Sequence, residues 1–151
     1  MEQYQQMTEK QWILAQGVVN EIPILVRCIS PMDPVMIVPD LGLLIIIYWE
    51  YDGDASGFPT AVEKSLMDTF ETRLNTSLRE DQSGLMVGVQ TINGRQTYVF
   101  YARDIELFQE HVIQITDDLE KPYPIQIEFQ EDPTWGFFFE HVYVEPNEGE
   151  Q

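Results

Sequence analysis

Between Leu41 and Gln130 the apolar residues change period several times, and the order of those changes restricts the fold more than any single motif. "LGLLIIIYWEY" is a continuous, β-branched run suited to a buried strand. From Thr60 onward, Val62, Leu66, Phe70, Leu74 and Leu78 recur every fourth residue with Met67 alongside, which predicts a helix with one buried face. Thr60 and Glu63 fit a T-x-x-E capping box at its start, and the polar "REDQSG" ends it. "LMVGVQTINGRQTYVFYAR" predicts a hairpin, because Asn93-Gly94 favours the positive φ angles of a tight type I′ turn. Asp104 caps a second helix, with Ile105, Phe108, Val112, Ile115 and Leu119 on its apolar face. "IQIEFQ" then alternates as a half-exposed strand. The order β-α-β-β-α-β is the ferredoxin-like plan, an α+β core with an antiparallel sheet. Its first and third strands belong at the sheet centre and its second and fourth at the edges. The doubly apolar "LLIIIYW" and "YVFYA" and the alternating "IQIEFQ" agree with those places.

Outside this core, Trp12 to Gly17 and Ile22 to Ile29 flank the polar turn "VNEIP" and predict an N-terminal β-hairpin. "SPMDPVMIVPD", with three prolines, reads as a loop, and "WGFFFEHVYV" as a C-terminal strand or an extended closing segment. The expected organisation is a flexible N-terminus at 1–10, a single domain at 11–144 and an acidic tail at 145–151. A chain of 151 residues buries roughly 68–70% of its unfolded surface, so neither a disulfide nor a metal is required for stability. Cys28, the only cysteine, lies in the apolar run "IPILVRCI" and reads as a small buried hydrophobe.

Several stretches resemble the bacterial domain-of-unknown-function 695 family. They are Trp12 with a strand ending "VRCI", the central "IIIYWEY", and Gly57-Phe58-Pro59 before the first helix. "TFETRL", "GRQTYVFYARDIELF" and "EDPTWGFF" complete the set, and their order and spacing carry the resemblance from about Gln11 to Phe139. More distantly the chain is similar to the ribonuclease E inhibitor B group. That likeness implies an acidic, ferredoxin-like protein that regulates an RNA-degrading enzyme through protein contact.

Charge narrows the partners. Eight Lys and Arg face 26 Asp and Glu, a net charge of −18. Such a field repels phosphate backbones and anionic lipid, and attracts basic proteins. From Asp104 to Gln151 there are 13 acids against one base, Lys121. Asp117, Asp118, Glu120 and Glu128 belong to that stretch and are the expected contacts for a basic protein partner, with Trp135 as an aromatic anchor. No nucleic acid or membrane partner is expected. The N-terminus lacks the basic-then-apolar pattern of a secretory signal, so a cytoplasmic location is expected.

Three other patterns invite chemistry. Tyr98-Val99-Phe100-Tyr101 matches the end of an RNA-recognition strand, but Gln96 stands where a stacking ring belongs. A central core strand accounts for it better. "DGDASGFPTAVE" places Asp52, Asp54, Ser56 and Glu63 at ligand positions of a calcium loop, with Gly57 at the tight turn. Against calcium, Ser56 is a weak ligand, Pro59 removes an N–H, and Glu63 already serves the capping box; the plain reading is a strand-to-helix loop. Arg27 follows four apolar residues and is either paired locally with a carboxylate or a ligand-binding cation. His111, read on the polar side of the second helix, and His141 have no second His or Cys at metal spacing, and no nucleophile elbow, phosphate loop or dinucleotide fingerprint is present. The sequence thus points to no cofactor. It points to a non-enzymatic, regulatory binding module for a basic protein, the alternative being a small-molecule-binding domain or enzyme with a pocket between hairpin and sheet.

Overall fold

The computed structural model describes residues 2–8, 11–55 and 57–144. The elements run α1 (Glu2–Thr8), β1 (Trp12–Val19), β2 (Ile22–Ile29), β3 (Leu43–Glu50), α2 (Ala61–Asp81), β4 (Gly84–Ile92), β5 (Arg95–Ala102), α3 (Ile105–Thr116) and β6 (Ile125–Glu131). The protein is mixed α+β, built on one antiparallel sheet in the order β1-β2-β4-β5-β3-β6.

β3 lies between β5 and β6 and is buried from Leu44 to Ile47, as its unbroken apolar run requires. Alternation sends Ile45, Ile47 and Trp49 to one face, where they meet Phe70 and Leu74 of α2 and Phe108 and Val112 of α3. Leu44 and Ile46 face the other way, into a second core with Val99, Tyr101, Trp135 and Phe138. β5 does the same: Tyr98 and Phe100 pack under the helices, Val99 and Tyr101 on the far side.

β4 is not a sheet edge. The N-terminal hairpin extends the sheet, with Arg27 opposite Val89 and Cys28 opposite Gly88. β4 is consequently buried along nearly its whole length. Both hairpin turns use paired positive φ angles, Asn20 at 52° with Glu21 at 67°, and Asn93 at 40° with Gly94 at 86°.

The caps read from sequence are present. Glu63 N–H donates to Thr60 Oγ1 while Thr60 N–H donates to Glu63 Oε1, and Leu107 N–H donates to Asp104 Oδ1. The α2 stripe is buried as expected from Met67 to Leu78 but not at its start. Val62 and Leu66 are exposed, and the buried set is Met67, Phe70, Leu74, Ser77 and Leu78. A strict four-residue repeat drifts by about 40° per step on a 3.6-residue helix, so with Phe70, Leu74 and Leu78 in the interface, Leu66 and Val62 at the N-terminal end rotate out of it.

The expected C-terminal strand does not form. After β6, Trp135 N–H bonds Asp132 O, and Phe138–Val142 makes one wide helical turn closed by Tyr143 N–H to Phe138 O at 2.8 Å. The Asp132 carboxylate drives this. It accepts N–H bonds from Gly136 and Phe137, which is helix-capping geometry, and the hydroxyl of Tyr101 at 2.7 Å. The N-terminus also differs from the expected flexible segment. α1 buries Tyr4 and Met7, and Tyr4 Oη donates to Gly84 O at 2.6 Å. The acidic tail at 145–151 lies outside the described residues.

The turn after Trp135 approaches the sheet most closely at Gly88, where a Cβ would stand 2.3 Å from Val142 Cγ1. Gly88→Ala is therefore expected to lower the unfolding free energy by about 1–3 kcal/mol in chemical denaturation. Gly42→Ala, whose Cβ would meet Pro133 at an ordinary 3.5 Å, is expected to change it by less than about 0.5 kcal/mol. Equal effects of the two would contradict this packing.

Candidate functional site

Where β3 leaves the sheet, the chain doubles back before α2. Tyr51 N–H bonds Gly94 O, its hydroxyl donates to Gly57 O at 2.6 Å, and Gly94 N–H bonds Gly57 O. This pins the strand-to-helix loop to the β4–β5 turn and holds the Tyr51 ring in place. Across from it runs the α3–β6 connection, whose Tyr123 ring packs 4.7 Å from Trp49 and edge-on to Phe70 at 5.5 Å. Between the two lies an open groove of about 700 Å³. Trp49, Tyr51, Leu66 and Tyr123 give it an apolar floor, while Pro122 and Pro124 hold its far wall extended. Its rim carries Glu50, Asp52, Glu63 and Glu120 against a single base, Lys121.

The rim acids are not equivalent. Glu50 pairs with Arg95, whose guanidinium also lies over the Tyr48 ring. Glu63 accepts the N–H groups of Thr60, Gly53 and Asp52, and those bonds, Thr60 first, hold its carboxyl below the usual range. It contributes charge with most of its acceptor capacity committed. Asp52 and Glu120 are exposed and have no salt bridge among the described residues. Burial pushes the Tyr51 hydroxyl up, so it remains a donor at neutral pH.

The calcium-loop residues are placed differently from a ligand cage. Glu63, the expected bidentate ligand, faces backbone N–H groups, and Asp54 accepts Phe58 N–H at 3.3 Å. Ser56 lies outside the described residues. Among the described residues no three His, Cys, Asp or Glu side chains gather as a metal site.

The acidic quartet does not form one patch. Glu120 is on the groove rim, and Asp118 lies 3.7 Å from Arg73 of α2. Asp117 directly follows the last turn of α3. Glu128 stands opposite Ile46, hence on the sheet face away from the helices, where Tyr48 Oη donates to it. Trp135 is corrected from partner contact to core. It is fully buried, stacks on Tyr101 with ring centroids 4.4 Å apart and 8° between planes, and donates Nε1–H to Leu41 O at 2.8 Å.

Arg27 is held by Glu71 of α2 in a two-point pair, 2.8 and 3.3 Å, with the Trp12 ring 5.9 Å away. It borders a small cleft of about 230 Å³ between α1, β2 and α2 that also includes Arg79 and Asn75. The cleft lies beside the hairpin and α2, since the hairpin itself continues the sheet edge-on. On β5, Tyr98, Phe100 and Tyr101 are all buried, so this strand presents no ring surface for a base to stack on. Gln96 is buried as well, linking Thr91 Oγ1 to Tyr98 Oη.

Sequence reasoning missed one constellation. His111, expected on the polar side of α3, is buried between the helices. Ser77 Oγ lies 2.5 Å from its Nδ1, and Asp81 Oδ2 lies 2.9 Å from its Nε2. The signal was available: position 111 falls between Phe108 and Ile115 on the apolar stripe, and Ser77 between Leu74 and Leu78. The three residue types are those of a hydrolytic triad, but the hydroxyl is nine-tenths covered between two helices and approaches Nδ1, with the carboxylate on Nε2. It is a polar clasp joining α2 to α3.

The match to a family model spans residues 10–143, described as a family of unknown function (DUF695). The chain belongs to the domain-of-unknown-function 695 family. No curated protein and no solved structure matches it significantly.

In the clasp, burial raises the Asp81 carboxyl, yet bonds from Ser83 and His111 outweigh it and hold the group below the usual aspartate range. A carboxyl depressed in the folded state adds stability above its unfolded pKa and loses it as pH falls through the folded value. Unfolding free energies at about pH 6 and about pH 3 should therefore lie closer together in Asp81→Asn than in the native protein. An unchanged difference would remove Asp81 from the acid response.

Proposed function

We propose that this family member is a non-enzymatic binding module that takes a basic segment of a protein partner into the groove between Tyr51 and Tyr123. One observation carries the reading: an apolar, aromatic floor is rimmed by four carboxylates and one lysine, in a chain of net charge −18. Lysine and arginine are recognised by such a surface in two ways. Their aliphatic stems cover the rings while their charged ends reach the rim. The proline-bounded wall suits an extended segment, which costs less ordering entropy than a surface that must close.

The fold-level reading belongs to the same proposal. The order β4-β5-β3-β6, with α2 and α3 on one face, supports a ferredoxin-like core to which the hairpin adds two strands. A regulatory role by protein contact, like that of the ribonuclease E inhibitor B group, fits the acidic surface. No helix among the described residues is long and apolar enough to cross a membrane, and a cytoplasmic setting is part of the proposal. The small-molecule alternative draws less support, because Arg27 is already engaged by Glu71.

Titration calorimetry with an arginine-and-lysine-rich peptide tests the groove. Binding is expected to weaken as salt rises, and to weaken by about fivefold to tenfold in the double variant Asp52→Asn, Glu120→Gln. Glu128→Gln, on the opposite sheet face, should leave it unchanged. Affinity indifferent to salt and to the double variant would defeat the proposal.

A further inference from the structure

The floor of the groove between Tyr51 and Tyr123 holds a donor with nothing to bond. Trp49 is 3% exposed, and what remains uncovered belongs to that floor. Its ring is wedged between Phe70, 5.5 Å away, and Tyr123, 4.7 Å away. The indole Nε1–H has no hydrogen-bond partner among the described residues, whereas that of Trp135 is satisfied by Leu41 O. Nor is it sealed inside: among the described residues, the sealed side-chain polar atom without a partner is Ser83 Oγ. An indole N–H can only donate, so the floor presents a fixed donor that lacks an acceptor.

The walls restrict how an acceptor can arrive. On the β3 side, the N–H groups of Glu50, Tyr51 and Asp52 are already bonded to Pro124 O, Gly94 O and Glu63 Oε2. Across from them, Pro122 and Pro124 have no N–H, and Leu119 N–H bonds Thr116 O. A guest therefore finds little of the main-chain ladder that an added strand needs. A helical guest spends its carbonyls on its own N–H groups and has none to offer Trp49 along its length. A polyproline II segment has no internal hydrogen bonds and carries its carbonyls outward. Prolines in it also remove N–H groups that would otherwise lose water against the apolar rings without gaining a partner.

We propose that the guest of this groove is a proline-rich segment of a partner protein in the polyproline II conformation, with an arginine or lysine flanking its prolines. The inference rests on the reading of the groove as a site for a basic segment, and it specifies that segment's backbone. The proline rings lie against Tyr51 and Tyr123, and a carbonyl of the segment accepts the Trp49 Nε1–H. The flanking cation reaches Asp52 or Glu120, which have no salt bridge among the described residues. Both sides are ordered before they meet. The Tyr51 ring is tethered by its hydroxyl to Gly57 O at 2.6 Å, and a proline-rich segment is already extended in solution. Docking thus costs little conformational entropy, which is how proline-rich segments bind aromatic-lined grooves in general.

Titration calorimetry with two synthetic peptides of equal charge separates this from the wider reading. One is proline-rich and flanked by arginines; the other has every proline replaced by alanine. The first should bind more tightly by about fivefold or more. Equal binding of the two, weakened alike in the double variant Asp52→Asn, Glu120→Gln, would overturn the polyproline proposal and leave the groove a site for basic segments. Binding of neither would defeat both readings. The donor is followed directly in proton–nitrogen NMR spectra. The Trp49 Nε1–H peak, assigned by its contacts with the Tyr123 and Phe70 rings, should move downfield on saturation with the proline-rich peptide. Trp49→Phe keeps an aromatic ring and removes the donor. With circular dichroism showing an intact fold, it should weaken the proline-rich peptide by about threefold to tenfold. If that variant misfolds, the peak in the native protein still decides. An unmoved indole peak in the saturated complex, or a folded Trp49→Phe that binds as the native protein does, would overturn the proposal.

Discussion

A single carboxylate, Asp132, determines what covers the second face of the sheet. It binds three donors at once, the N–H groups of Gly136 and Phe137 and the hydroxyl of Tyr101. Two of those bonds start a helical turn in a stretch whose composition favours a strand, and the third ties that turn to the C-terminal end of β5. Trp135 is thereby forced into left-handed backbone geometry, φ 60°, which a bulky side chain ordinarily avoids. The strain is tolerable because the same placement stacks its ring on Tyr101 and satisfies its indole N–H on Leu41. Burial, followed by the bond to Asp132, pushes the Tyr101 hydroxyl up, so it stays a donor throughout the physiological range. With the turn in place, Phe138 and Val142 roof the far side of β3, β4 and β5, and the sheet acquires two cores instead of one.

How much of this was legible depended on whether the signal was local. The β3 run, the two caps and the Asn93-Gly94 turn are each set by neighbours within a few residues, and each appears as read. The "WGFFFEHVYV" segment failed because its decisive partner, Tyr101, is 31 residues away from Asp132 in sequence. The α2 stripe held at Met67, Phe70, Leu74 and Leu78 and failed only at its start, because counting by fours ignores the drift that carries Val62 and Leu66 into solvent. The place of β4 failed because nothing within "LMVGVQ" announces that a preceding hairpin will take its free edge.

The site was partly legible for the same reasons. Acidity around Glu120 is visible in composition, but composition assigns no face. Register separates Glu128 from Glu120 across the sheet, and a partner that touched both would have to wrap the β6 edge. Asp52 and Glu63 drew notice as metal ligands, and their positions instead contribute to the rim of a groove whose floor comes from Trp49, Tyr51 and Tyr123. Trp49 is core, as its strand's apolar run requires, while Tyr51 and Tyr123 carry no periodic signal of their own. His111 shows the converse error. Its charge class suggested solvent, while its position on the helix repeat required burial, and Ser77 and Asp81 provide the partners that make burial affordable.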